Sequence, residues 1–120
     1  MNDKSLFDLR ERLRRFTEER DWDKFHSPKN LAMALTAEVG ELVEQFQWLT
    51  EDQSKILSEP IHKQVEEEIA DIFIYLVMLA DKLNIDLIDV AYRKIDINMS
   101  KYPVELVRGS AKKYTEYQAE

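Results

Sequence analysis

The sequence predicts an all-α fold, a four-helix bundle-like domain followed by a C-terminal tail, on three observations. Two glycines and three prolines in 120 residues leave little turn chemistry for a multi-stranded sheet. Leu, Glu, Lys, Arg, Ala and Ile abound. Apolar residues recur at intervals of three and four, the helical period. The length lies within the usual single-domain range of roughly 100 to 150 residues. The expected organisation is a domain over 1–103 and a tail over 104–120 that is mobile or ordered against a partner subunit.

The first helix is expected from about Ser5 to Arg20, with Leu6, Leu9, Leu13 and Phe16 facing inward and charge on the other face. A loop, Asp21 to Ser27, precedes Ser27-Pro28, a capping acceptor followed by proline at the first helical position. The second helix should then continue to Trp48 or Leu49. A polar connector, Thr50 to Glu59, leads to Pro60 and a third helix ending near Leu83. Asp86 or a neighbour caps a fourth, which stops before Pro103.

Twenty-four acids against 17 bases give a net charge of −7. Such a chain lacks the basic face that replaces counterions on a nucleic acid polymer, so no such partner is expected. Residues 38–71 hold ten acids and two bases, a balance of −8, and the other 14 acids and 15 bases sum to +1. A polyphosphate substrate remains compatible with this acidity, because a divalent cation bridges two negative parties. The absence of cysteine excludes disulfides and thiolate chemistry. The polar N-terminus lacks the form of a secretory signal, and the longest uncharged apolar run, Ile72 to Ala80, falls far short of the roughly 20 residues that span a bilayer. A cytoplasmic protein with no membrane partner is the expectation.

The acids have a pattern. On the second helix Leu31, Leu35, Leu42 and Leu49 mark an inward stripe, and Glu38 stands where that stripe calls for leucine. Glu41, three residues on, is about 60° round the helix and roughly 4.5 Å along it, so the two carboxylates can converge on one ion. On the third helix Asp71 is the single charge within Ile69 to Ala80, a segment apolar on nearly all sides and so expected at the buried centre, and Glu68 precedes it by three. Buried carboxylates must be neutralised by protons, bases or a cation, and bases are scarce here. Oxygen-only ligands favour a hard cation, with magnesium the usual choice beside phosphate oxygens. The spacing alone is common: Glu18 and Asp21 repeat it on a face expected to be solvated. Two such pairs on inward surfaces are what single out Glu38, Glu41, Glu68 and Asp71. Gly40, between the paired glutamates, marks either close helix packing or room for a ligand.

Trp22, Phe25, Trp48 and Tyr75 offer a stacking slot for a planar base, against the plainer alternative of core packing. Lys94 and Asn98 share a face of the fourth helix, where a solvated lysine is the ordinary outcome. Glu59 and His62 form a lone ExxH with proline inside it and no second copy, which argues against a di-iron site, and His26 and His62 read as structural. No Gly-rich phosphate loop or GxSxG elbow is present.

Three stretches carry a family resemblance: ERDWDKFHSPKNLAMALTAEVGELVEQFQWL, EEEIADIFIYLVMLADKLNIDL and KIDINMSKYP. Together they resemble the MazG-like all-α nucleoside triphosphate pyrophosphohydrolases, and within them the small single-domain dCTP pyrophosphatase branch, over about residues 10 to 103. The resemblance implies magnesium bound by Glu38, Glu41, Glu68 and Asp71, and a nucleotide bordered by Trp22, Trp48, Tyr75, Lys94 and Asn98. Where the animal members of that branch carry a base-contacting histidine, this chain has Leu13. A homotetramer built from paired dimers, with the site shared between subunits, is also implied. The expected function is therefore magnesium-dependent hydrolysis of (deoxy)nucleoside triphosphates, dCTP and related dNTPs, to monophosphate and pyrophosphate, with Glu41 as the catalytic proton acceptor. A non-catalytic helical interaction module, or a pyrophosphohydrolase acting on another nucleotide, is the alternative.

Overall fold

The computed structural model describes residues 4–111 and 115, and every described element is helical. Helix α1, Leu6–Glu19, begins where the Ser5 hydroxyl accepts from the Asp8 backbone N–H, which satisfies one of the amide donors that a helix start leaves free. A short 3-10 turn, Asp23–Phe25, leads to α2, Pro28–Glu44. Ser27 caps α2 by accepting from the Asn30 N–H, and Pro28 fills the first turn at no hydrogen-bond cost. The Asn30 side chain donates back to the Phe25 carbonyl at 3.0 Å and ties the turn to the helix start.

Helix α2 ends four residues earlier than the periodicity predicts. After Glu44 the backbone tightens: Gln45 bonds the Leu42 carbonyl, Phe46 that of Val43 and Leu49 that of Phe46. These i to i−3 bonds use up the last carbonyls in a tighter turn and turn the chain before Trp48 is reached. The connector contains its own short helix, α3, Glu51–Lys55, framed by a reciprocal capping box between Thr50 and Gln53. Helix α4, Glu59–Lys82, starts after Ser58 and carries Glu59 and Pro60 in its first turn. It closes at Asn84, whose φ of 54° is the left-handed geometry that ends helices.

The chain divides after Ile85 into two compact units. In the first, α2 lies on α4 and α1 packs against α4 as a smaller contact. The buried centre is small: Leu31 from α2, Val65, Val77 and Ala80 from α4, and Thr17 from α1. Thr17 takes the inward place that the leucine spacing assigned to Phe16, and its hydroxyl donates to the Leu13 and Arg14 carbonyls. Phe16 is displaced to the surface, where Trp22 meets it edge-on at 5.6 Å and the Arg20 guanidinium covers its face. A bidentate ion pair joins α1 to the end of α4, with Arg14 Nε 2.8 Å and Nη2 2.5 Å from the Asp81 oxygens, and Lys82 pairs with Asp23.

The Ile69 to Ala80 segment of α4 is not enclosed on all sides within this chain. Val77 and Ala80 are buried, but Ile69, Phe73 and Leu76 form an exposed row at i, i+4 and i+7. One helix pair covers one face of α4 and leaves this row open.

In the second unit, Asp86 accepts from the Asp89 N–H to start α5, Leu87–Lys101. That helix stops at Tyr102, ahead of Pro103, and α6, Val104–Val107, adds a single turn. Of the expected tail, residues 112–114 and 116–120 lie outside the described residues. No helix among the described residues is long and apolar enough to cross a membrane.

Candidate metal centre

The α2–α4 contact brings acids from two helices to one place. Single carboxylate oxygens of Glu38, Glu41 and Glu68 all lie within 4.8 Å of one another. Glu38 reaches it because it occupies the leucine register of α2, between buried Leu31 and half-buried Leu42. Glu68 is 6% exposed, among the most enclosed polar residues described. Glu41 lies at the exposed rim. Asp71, one turn along α4 from Glu68, does not join the three-oxygen group and is exposed rather than buried as the apolar segment around it suggested.

The electrostatics follow from this crowding. Glu38 is pushed up to a pKa of about 7. Its removal from water is the largest cause, hydrogen bonding with Glu41 and Glu68 comes next, and the negative charges of Glu41 and Asp71 add to it. No ion pair is formed by any of the four acids among the described residues. Glu38 Oε2 and Glu68 Oε2 are both buried without a hydrogen-bond partner. Such orphaned oxygens are costly, and an all-carboxylate donor set of this size fits a hard divalent cation. Glu68 Oε1, by contrast, accepts from Gln64 Nε2 at 2.9 Å.

Gly40 is exposed, and a Cβ built on it meets nothing within 4 Å. Close helix packing within this chain therefore does not explain the glycine. Trp48 is carried by the turns after α2 and is 86% exposed. Tyr75 is half-buried on α4, one turn beyond Asp71. Trp22 and Phe25 are both exposed, with Trp22 held against Phe16. Lys94 and Asn98 are exposed on α5, in the second unit. His62 pairs with Glu66 on the α4 surface at 3.1 Å, while His26 Nδ1 is buried without a partner.

A cavity of about 310 Å³ opens between α1, the 3-10 turn and the end of α4, lined among others by Leu13, Thr17, His26, Val77 and Met78. None of the four acids lines it. Leu13, the position of the expected base-contacting histidine, does.

The MazG-like family model matches residues 33–117, a span that includes both acidic pairs and all of α4 and α5. This chain belongs to the MazG-like family. Within that frame its curated relatives include dCTP pyrophosphatase 1 of Mus musculus, 44% identical, and dCTP pyrophosphatase 1 of Bos taurus, 45% identical. Each alignment covers 93% of this chain, with 67% of the mouse and 68% of the bovine protein. Among solved structures, a pyrophosphatase from Archaeoglobus fulgidus superposes with a TM-score of 0.79 at 41% identity, over 86% of this chain and 96% of that one. The all-α MazG-like fold expected from the sequence is thereby established.

Two features of the structure, one at the site and one away from it, were not read from the sequence. Gln64 carried no expectation, although a donor one turn before Glu68 is a visible i, i+4 signal. The Arg14–Asp81 pair joins residues 67 apart, and no local pattern announces it.

Proposed function

We propose that this MazG-like chain hydrolyses (deoxy)nucleoside triphosphates, dCTP and related dNTPs among them, to the monophosphate and pyrophosphate, with magnesium as cofactor. The observation that carries the reading is the convergence of Glu38, Glu41 and Glu68, two of whose buried oxygens have no protein partner. The relatives named dCTP pyrophosphatase 1 and the archaeal pyrophosphatase support the reaction type.

Glu38, Glu41, Glu68 and Asp71 hold the metal in this reading. When bound there, the metal would supply Lewis-acid charge for the phosphate oxygens and for the attacking water. Glu41, at the accessible rim, accepts that water's proton. Glu38 must lose its own proton before it can ligate, since its pKa of about 7 keeps it partly neutral near pH 7 in the metal-free protein. Trp22, Trp48 and Tyr75 are assigned to the nucleoside and Lys94 and Asn98 to the nucleotide, five assignments that follow the family resemblance. Leu13 offers no hydrogen bond where the branch has histidine, so base selection is expected to be broader than for cytosine alone.

The assembly in this reading is the homotetramer implied by the resemblance, which would cover the exposed row of Ile69, Phe73 and Leu76. The expected setting is the cytoplasm.

A panel of dNTPs and NTPs, assayed with magnesium and with EDTA and with products separated by anion exchange, tests the activity. Equal amounts of monophosphate and pyrophosphate that disappear in EDTA are expected. No turnover of any member, or turnover indifferent to EDTA, overturns the reading. Alanine at Glu38, Glu41, Glu68 or Asp71 should abolish turnover with circular dichroism unchanged, and near-normal turnover by two of them would sink the site.

A further inference from the structure

We infer that Gln64 is a positioning residue of the metal centre, one that fixes the Glu68 carboxylate so that its Oε2 is kept for the cation. The inference rests on the metal-binding reading of the acidic cluster and adds to it a residue outside the paired acidic motif.

Gln64 and Glu68 are four apart on α4, so their side chains rise from the same face on successive turns. The contact is 2.9 Å from Gln64 Nε2 to Glu68 Oε1. The amide NH2 group donates and the carboxylate oxygen accepts. Glu68 then has one oxygen occupied and the other, Oε2, buried with no partner. A glutamate side chain has several rotatable bonds, and a hydrogen bond to one oxygen limits the orientations its carboxylate can take beside Glu38 and Glu41. The Gln64 amide supplies that restraint and partly offsets the charge on Oε1, without taking the buried Oε2, which has no partner. Gln64 itself is exposed and contributes nothing to the buried centre. Removing its donor therefore perturbs the carboxylate rather than the core. Partners of this kind behind a metal ligand typically change metal affinity by roughly 10- to 100-fold.

The test uses the full chain, Gln64→Met, which keeps the length of the side chain but removes the donor, and Gln64→Ala. Mn2+ alone is titrated into metal-free protein while the electron paramagnetic resonance signal of free Mn2+ is followed. Both variants are expected to bind Mn2+ about tenfold more weakly than the parent. The Mg2+ concentration giving half-maximal turnover should rise in parallel, with kcat at saturating Mg2+ close to the parent's. Metal-free melting temperatures should stay near the parent's, because the residue is exposed. Parent-like Mn2+ affinity in both variants, with the parent itself binding, overturns this inference and leaves the metal reading intact. A parent that binds no Mn2+ overturns both. A lowered metal-free melting temperature with unchanged Mn2+ affinity assigns Gln64 to stability alone and also overturns it.

Discussion

Glu38 should be a burden to the folded protein when no metal is present, and Glu38→Gln exposes that directly. Its carboxylate shares a site with those of Glu41 and Glu68, ligand oxygens within 4.8 Å of each other. Two unit charges at that distance repel by about 1 kcal/mol in bulk water and about 3 kcal/mol at an effective dielectric of 20. Glu41 is exposed and Glu68 buried, so the penalty falls between these limits. The amide introduced by Glu38→Gln removes the charge and can donate to either neighbour. For a chain of this size 1 kcal/mol moves the melting temperature by about 4 °C, so Glu38→Gln should melt about 4 to 12 °C higher than the parent at pH 8 in EDTA.

The pH dependence gives the same test an internal control. The folded-state pKa of about 7 lies above the ordinary value of 4.5, so the folded chain binds this proton more tightly than the unfolded chain does. The stability linked to the proton is complete below about pH 4.5 and is lost as pH rises to 7. At pH 5.5 the parent already carries a largely neutral Glu38, and the gap between parent and variant should shrink. Addition of Mg2+ with a non-hydrolysable nucleotide should raise the parent's melting temperature and leave the variant nearly unmoved. Scanning fluorimetry at both pH values, with and without metal, measures all of this. A variant that melts below the parent at pH 8 in EDTA would refute the repulsive cluster.

Gly40→Ala, which meets no atom within 4 Å, should stabilise the helix by about 1 kcal/mol in chemical denaturation; lowered turnover in that more stable protein would show that substrate uses the space. Trp48→Ala should leave the melting temperature unchanged, given 86% exposure, and raise KM several-fold if the indole borders the nucleotide; an unchanged KM removes Trp48 from the site. Asp81→Ala should lower the melting temperature by unpinning α1 from α4, and the exchange Arg14→Asp with Asp81→Arg should restore part of the loss. The Arg14 guanidinium hydrogen-bonded to Asp81 holds that carboxyl below its ordinary 3.8, so the contribution is present above that pH and is lost as pH falls through the lowered pKa; equal acid sensitivity of parent and Asp81→Ala would contradict it.

What could be read from the sequence was what local chemistry dictates. Ser5, Ser27 with Pro28, and Asp86 mark helix starts because a side-chain acceptor there meets free amides a few residues on. Glu38 was legible because it interrupts a leucine register. The end of α2 was not, since neither glycine nor proline occurs in residues 45–58 and the tightening through Gln45 and Phe46 leaves no compositional mark. Helix α3 did leave one, Thr50 with Gln53, which is easily passed over among polar connector residues. Asp71 departs from its expected burial for a different reason: an apolar run indicates that surfaces want covering but not which of them this chain covers itself. Meeting of Glu41 with Glu68 depends on how far α2 slides along α4, a packing quantity that neither helix encodes alone.

Hydrolysis of dCTP in 18O-labelled water tests the central claim most directly, because attack at the α-phosphorus decides where the solvent oxygen goes. One 18O in the monophosphate, unlabelled pyrophosphate and no reaction in EDTA are expected. Label in the pyrophosphate, or a diphosphate with labelled orthophosphate, would contradict it.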